Sequence, residues 1–129
     1  HMMPTGYVLI VDQKENVVEI ARVLKDSGFR VAGAVSVEQA QKAMQKFRPQ
    51  LVITADHLPD KDGLELIQFI RQQTAMLGLP VITVFDDMAP ERIRAFLKGG
   101  SSRYVMRSFL QTNLVKTIRE VQNSLHYAS

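Results

Sequence analysis

Cysteine is absent from the 129-residue chain, which removes thiol catalysis, Cys-based zinc sites and disulfide scaffolds from consideration. No apolar run approaches the roughly 20 residues that a bilayer-spanning helix needs. The N-terminus has no signal-peptide pattern, and His1 and Met2 read as a cloning scar. Blocks of one charge are missing too: 16 Lys and Arg stand against 13 Asp and Glu, scattered along the chain, so no dedicated nucleic-acid face is expected. Repeats, low-complexity tracts and linker-like stretches are likewise absent. What remains is an ordinary globular composition, 46% hydrophobic and 22% charged. The length suits one domain, residues 1–129, able to bury a core without staples. A cytoplasmic protein with no membrane partner is expected.

Apolar periodicity predicts strands and helices in alternation. Tyr7 to Val11 (YVLIV) is a continuous apolar run short enough for a strand buried on both faces. Val17, Ile20, Val23 and Leu24 then recur at helical spacing, and Gly28 is placed to end that helix. RVAGAV, 30–35, reads as a second strand. Ser36 with Gln39 forms a capping box for a helix through Ala40, Ala43, Met44 and Phe47, stopped by Pro49. Leu51 to Ala55 is a third strand, followed by a helix from Leu64 to Gln73 with Leu66, Ile67 and Ile70 on one face. Pro80 to Phe85 is a fourth strand. Pro90 opens a helix bearing Ile93, Phe96 and Leu97, RYVM is a fifth strand, and Leu114, Val115, Ile118, Val121 and Leu125 mark a last amphipathic helix.

Such alternation, with strands apolar along their length, implies an α/β protein with a parallel sheet covered on both faces. In that architecture chemistry collects at the carboxyl ends of the strands. The residues there are Asp12 and Gln13, Ala55 and Asp56, Phe85 and Asp86, and Met106 and Arg107.

Four segments in order, VLIVDQ, LPDKDG, PVITVF and GGSSRYVMRSF, give the chain its resemblance to the receiver domain of two-component response regulators, over Tyr7 to about Leu125. The resemblance implies a flavodoxin-like (βα)5 three-layer sandwich with a five-stranded sheet of order 2-1-3-4-5. It also implies a phosphoryl-accepting aspartate ending the third strand, magnesium held by that aspartate and an acidic pair after the first, a hydroxyl residue ending the fourth and a lysine ending the fifth. Magnesium needs oxygen ligands, and the transferred group needs cations.

Counted back from Pro59, Asp62 and Gly63, the phosphoacceptor position falls on Ala55, whose methyl cannot form an acyl phosphate. The acidic pair is Asp12 and Gln13, Phe85 stands at the hydroxyl position, Arg107 at the lysine position and Ser108 at a usual proline. These residues form a vestigial acidic pocket with no metal or other cofactor expected. Arg107 is expected to pair with Asp12, and Phe85 to fill volume left by Ala55. Adjacent residues on an extended chain face opposite ways, so Asp56 is read with His57 and Asp60 as part of a solvated loop. A bulge that turned Asp56 inward would make it a fallback, magnesium-dependent phosphoacceptor. Asp86 and Asp87 read as loop acids near a helix N-terminus.

The expected function is a phosphorylation-independent, non-enzymatic protein-interaction module. The resemblance implies docking of a protein partner or a second copy through the face made by the fourth helix, fifth strand and fifth helix. Tyr104 matches the family's aromatic switch position, and Arg92, Arg103, Lys116 and Arg119 are candidate polar contacts. A flavin-type binder shares the architecture, but no Gly-rich or hydroxyl-rich phosphate loop follows the first strand.

Overall fold

The structure is a computed structural model that describes residues 6–128, with side chains through Ser124. His1 and Met2, read as a cloning scar, and the side chain of Leu125 lie outside the described residues. The elements are β1 Val8–Val11, α1 Lys14–Asp26, β2 Val31–Ala34, α2 Val37–Lys46, β3 Leu51–Ala55, α3 Gly63–Gln72, β4 Val81–Phe85, α4 Pro90–Gly99, β5 Arg103–Met106 and α5 Leu110–Ala128. Single 3-10 turns at Thr74–Met76 and Arg107–Phe109 complete the order. The strands form one parallel sheet, β2-β1-β3-β4-β5, the flavodoxin-like arrangement.

Two apolar layers sandwich this sheet. Leu9, Val11, Val52, Val81 and Phe85 face one way and pack with residues of α2, α3 and α4, including Met44, Leu66, Ile70 and Phe96. Val8, Ile10, Ile53, Ile82 and Val84 face the other way, onto Ile20 and Leu24 of α1 and Leu114 and Ile118 of α5. Strict alternation of neighbours between two buried layers is why the central strands read as unbroken apolar runs. The edge strands differ, since Ala32 and Gly33 of β2 and Arg103 and Tyr104 of β5 are exposed.

Local signals fix the helix ends. Gly28, at φ 90°, adopts a left-handed conformation that suits glycine. It lets the N–H groups of Gly28 and Phe29 return to the carbonyls of Lys25 and Leu24, both at 3.0 Å. At the start of α2 the Ser36 hydroxyl accepts from the Gln39 N–H at 3.1 Å, and the Gln39 side-chain oxygen accepts from the Val35 N–H at 3.0 Å. Two expected stripe members point outward instead. Phe47 is 74% exposed and Leu97 41%. The chain is already extended at Phe47, which is the C-cap of α2.

Asp60, read as a solvated loop acid, has a structural task. Its two carboxylate oxygens accept from the N–H groups of Val37 and Glu38 at 3.0 and 3.1 Å, so the loop after β3 caps the first turn of α2. Desolvation pushes the Asp60 carboxyl up, but backbone donors from Val37, Glu38, Asp60 and Lys61 together hold it below its ordinary value. Replacing Asp60 by Ala should lower the unfolding free energy by about 1 kcal/mol at neutral pH. A depressed folded-state pKa gives stability that is present above the unfolded value and lost as pH falls through the folded one. The gap between wild type and Asp60→Ala in urea titrations should therefore close below about pH 4.

Candidate functional site

The carboxyl ends of β1, β3, β4 and β5 bring two acid–arginine networks close together. The pairing of Val11 with Thr54 sets Asp12 beside Ala55, and that of Phe85 with Met106 sets Asp86 beside Arg107. Asp12 is only 2% exposed. One of its oxygens accepts from the Gln13 N–H at 2.7 Å and the Asn16 amide at 3.1 Å. The other accepts from Arg107 Nη1 at 2.8 Å, while Arg107 Nε reaches Asp86 at 2.6 Å. Desolvation lowers the Arg107 pKa, but hydrogen bonds and charge from Asp86 and Asp12 leave it raised overall. The Asp12–Arg107 pair is thus present as expected. Asp86, read as a loop acid, is its second anchor. Ala55 is itself buried, and a Cβ on Gly63 would collide with the Ala55 carbonyl oxygen, so the Asp62-Gly63 turn lies directly on the end of β3.

The second network centres on Asp56, and here the solvated-loop reading is corrected: Asp56 is 4% exposed. Its Oδ2 accepts from Arg92 Nε at 3.0 Å and lies 3.5 Å from His57 Nε2. Arg92 Nη2 donates to the Asp56 carbonyl and to the Asp62 carboxylate, each at 3.0 Å. Desolvation would lower the Arg92 pKa, yet Asp56 and Asp62 outweigh it. Arg92, expected as an outward-facing polar contact, is therefore turned inward and joins the first turn of α4 to the loop after β3. Asp56 Oδ1 is buried with no hydrogen-bond partner among the described residues. Arg92 is held by a side chain 36 positions earlier in the chain, a distance at which periodicity carries no signal.

From Arg92 an aromatic chain leads to the surface. The guanidinium carbon sits 4.8 Å from the centroid of the Phe96 ring. Phe96 meets Phe85 edge to face at 5.1 Å, and Phe85 meets Tyr104 edge to face at 6.0 Å. Phe85 was expected to occupy the volume beside Ala55. The register pairs Ala55 with Val84 instead, and alternation sends Phe85 to the opposite layer, against α4. Tyr104 remains 38% exposed. Arg103, Lys116 and Arg119 are exposed, and among the described residues none lies within salt-bridge distance of a carboxylate. A further arginine went unanticipated: Arg71 of α3 donates to the carbonyls of Gly100 and Leu79, both at 2.7 Å, tying the α4–β5 turn to the segment before β4.

A five-stranded parallel sheet of this order, with acids and a cation at its carboxyl ends, defines a receiver-type signalling module. The family model for the response regulator receiver domain matches residues 8–119, and the chain belongs to that family. A two-component response regulator of Oryza sativa subsp. japonica, ORR12, is 31% identical over 109 residues, covering 81% of this chain and 88% of the relative. The sensory/regulatory protein RpfC of Xanthomonas campestris pv. campestris is 28% identical over 117 residues, or 88% of this chain, and the chain spans 16% of that protein's length. In structure the chain is similar to the chemotaxis response regulator CheY4 of Vibrio cholerae. The TM-score is 0.85 at 24% identity, covering 92% of this chain and 99% of the other.

Alanine substitutions at Arg107, Asp12, Asp86 and Arg92 probe the two networks. Arg107→Ala leaves a buried carboxylate short of a partner and should cost about 1 to 4 kcal/mol. Adding Asp12→Ala should recover part of that loss in a double-mutant cycle, whereas Asp86→Ala alone, at a half-exposed site, should cost under about 1 kcal/mol. Arg92→Ala strands Asp56 in the same way and should cost about 1 to 3 kcal/mol. Because Arg92 ties the first turn of α4 to the loop after β3, amide exchange should accelerate in both of these segments more than in α5.

Proposed function

We propose that this receiver domain signals without accepting a phosphoryl group, as a protein-interaction module whose α4–β5–α5 face is held in one state. The observation that carries this reading is the engagement of Asp12. Both of its oxygens are occupied by donors of the chain itself, one of them the Arg107 guanidinium. Ala55, at the position that the family resemblance assigns to the phosphoacceptor, adds only a methyl group, and Gln13 adds a neutral amide in place of a second acid. Magnesium bound through carboxylates and several waters does not fit this donor set, because the Asp12 and Asp86 carboxylates already share the Arg107 cation. The proposed module is non-enzymatic and cytoplasmic, and it works without a cofactor.

The same reading assigns the aromatic chain its role. In a switching receiver the strand-four hydroxyl moves toward the phosphoryl group and frees space for the strand-five aromatic. Phe85 has no hydroxyl to be drawn, and its ring already fills the gap between Phe96 and Tyr104. Tyr104, with the exposed cations Arg103, Lys116 and Arg119, then forms a standing surface for a protein partner or a second copy. Phosphorylation of Asp56 is the competing route. Counting against it, one Asp56 oxygen is held by Arg92 and the other has less than 1 Å² of exposed surface.

Intact mass after incubation with a small acyl-phosphate donor and magnesium tests this directly, and no phosphoryl mass should be gained. Beryllofluoride should leave the amide resonances of Tyr104 and α4 unmoved, and millimolar magnesium should leave the thermal midpoint unchanged. A phosphoryl adduct mapped to Asp56 would replace the proposal with an active switch.

A further inference from the structure

Among the described residues the sheet ends at β2, which pairs with β1 alone. The carbonyls of Arg30 and Ala34 accept from the Val8 and Asp12 N–H groups at 2.8 and 3.1 Å. Backbone groups of successive strand residues turn to opposite sides, so Val31 and Gly33 direct their N–H and C=O outward. The edge is sterically bare: Ala32 and Gly33 are both exposed and carry one methyl group between them.

A groove follows each face of this edge. On the α1 side it encloses about 510 Å³, with Val18 in its wall and Arg22 and Lys25 at its rim. On the α2 side it encloses about 730 Å³, with Phe47 in its wall beside Arg30, Lys46 and Arg48. Asp26 is the one carboxylate lining either groove. Arg48 donates through Nε to the carbonyl of Ala75 and through Nη1 to that of Pro49. Among the described residues, Arg22, Lys25, Arg30 and Lys46 are paired with no carboxylate. Val18 and Phe47, 51% and 74% exposed, give each groove an apolar contact that the fold leaves open.

We infer that the β2 edge docks an extended acidic segment of a partner protein, which adds to the sheet as a sixth strand. Main-chain hydrogen bonds to Val31 and Gly33 supply the pairing. Side chains of an added strand alternate between faces, so apolar groups of the segment enter the two grooves while its carboxylates meet the four free cations. A second copy of this chain suits the edge poorly, because β2 against β2 would set the cations Arg22, Lys25, Arg30 and Lys46 of both copies along one seam. The site lies at the opposite sheet edge from Tyr104, so it is independent of the α4–β5–α5 face and of any phosphoryl chemistry.

The test uses the full chain and three peptide sets of about eight residues, a length that spans one strand. One set alternates Asp or Glu with varied apolar residues, one has Lys in place of the acids, and one keeps the acids but carries proline at alternate positions. The acidic set should be retained, and its best binders should shift the Val31 and Gly33 amides and slow their exchange. The proline set should bind at least about tenfold more weakly. Arg30→Glu with Lys46→Glu, at exposed positions, should weaken the acidic peptides by at least about tenfold while leaving the circular dichroism spectrum unchanged. Three results overturn the inference: no acidic peptide retained, equal binding of the lysine or proline sets, or amide shifts confined to α4, β5 and α5.

Discussion

A carboxylate buried at the end of a parallel sheet must be compensated, and Arg107 compensates Asp12. The cost of desolvating a lone carboxylate is several kcal/mol, so the surroundings of Asp12 depend on that guanidinium staying where it is. Its planar fork allows it to hold Asp12 and Asp86 at once, through different nitrogens. Lysine, with a single ammonium centre, would match that geometry less well. The bridge joins the end of β1 to the ends of β4 and β5, across the central strand β3 that bears Ala55. Three strand ends are thereby linked by side chains in addition to the backbone pairing of the sheet.

Arg92 repeats the device one layer over. Asp56 follows Ala55 and so faces the other side of the sheet, where α4 covers it. A second buried carboxylate there meets a second arginine, whose face lies on the Phe96 ring. The two buried carboxylates thus lead into separate networks, one running from Asp12 through Arg107 to the end of β5 and one from Asp56 through Arg92, Phe96 and Phe85 to Tyr104. Both finish on the same strand. The surface that receivers use for docking is consequently supported from two directions, by fixed charges that belong to the chain.

Much of this was legible in the residues. All five strands and five helices lie within a few residues of where periodicity and capping signals place them, because central strands buried on both faces leave continuous apolar runs and Gly28, Ser36, Pro49 and Pro90 punctuate the chain. The Asp12–Arg107 pair was legible for a different reason, since both residues stand at carboxyl ends of one parallel sheet, although β3 and β4 lie between their strands and the length of the arginine spans that gap. Asp56 and Arg92 escape a reading of the residues for one shared reason. Each is a polar loop or helix residue whose partner is distant in sequence, and a solvated acid and a buried, paired one look identical until the partner is placed. Phe85 lies on the opposite face from Ala55, because the register of β4 with β3 pairs Ala55 with Val84 and alternation sends the next side chain the other way.

Whether such a site can switch turns on what a ligand could still reorder. A ligand shifts an equilibrium only by interacting differently with its two states, and a receiver ordinarily meets this condition with charges that come and go. In this chain the corresponding charges are covalently attached. Arginine does not dissociate as a metal does, and at accessible pH it does not lose its proton. A phosphodonor would have to displace Arg107 from two carboxylates, or Arg92 from two others, before any new charge could be accommodated. On the proposed reading, the occupancy of the Tyr104 face is therefore governed by the concentration and affinity of its protein partner. Control passes from chemistry at the strand ends to whatever regulates that partner.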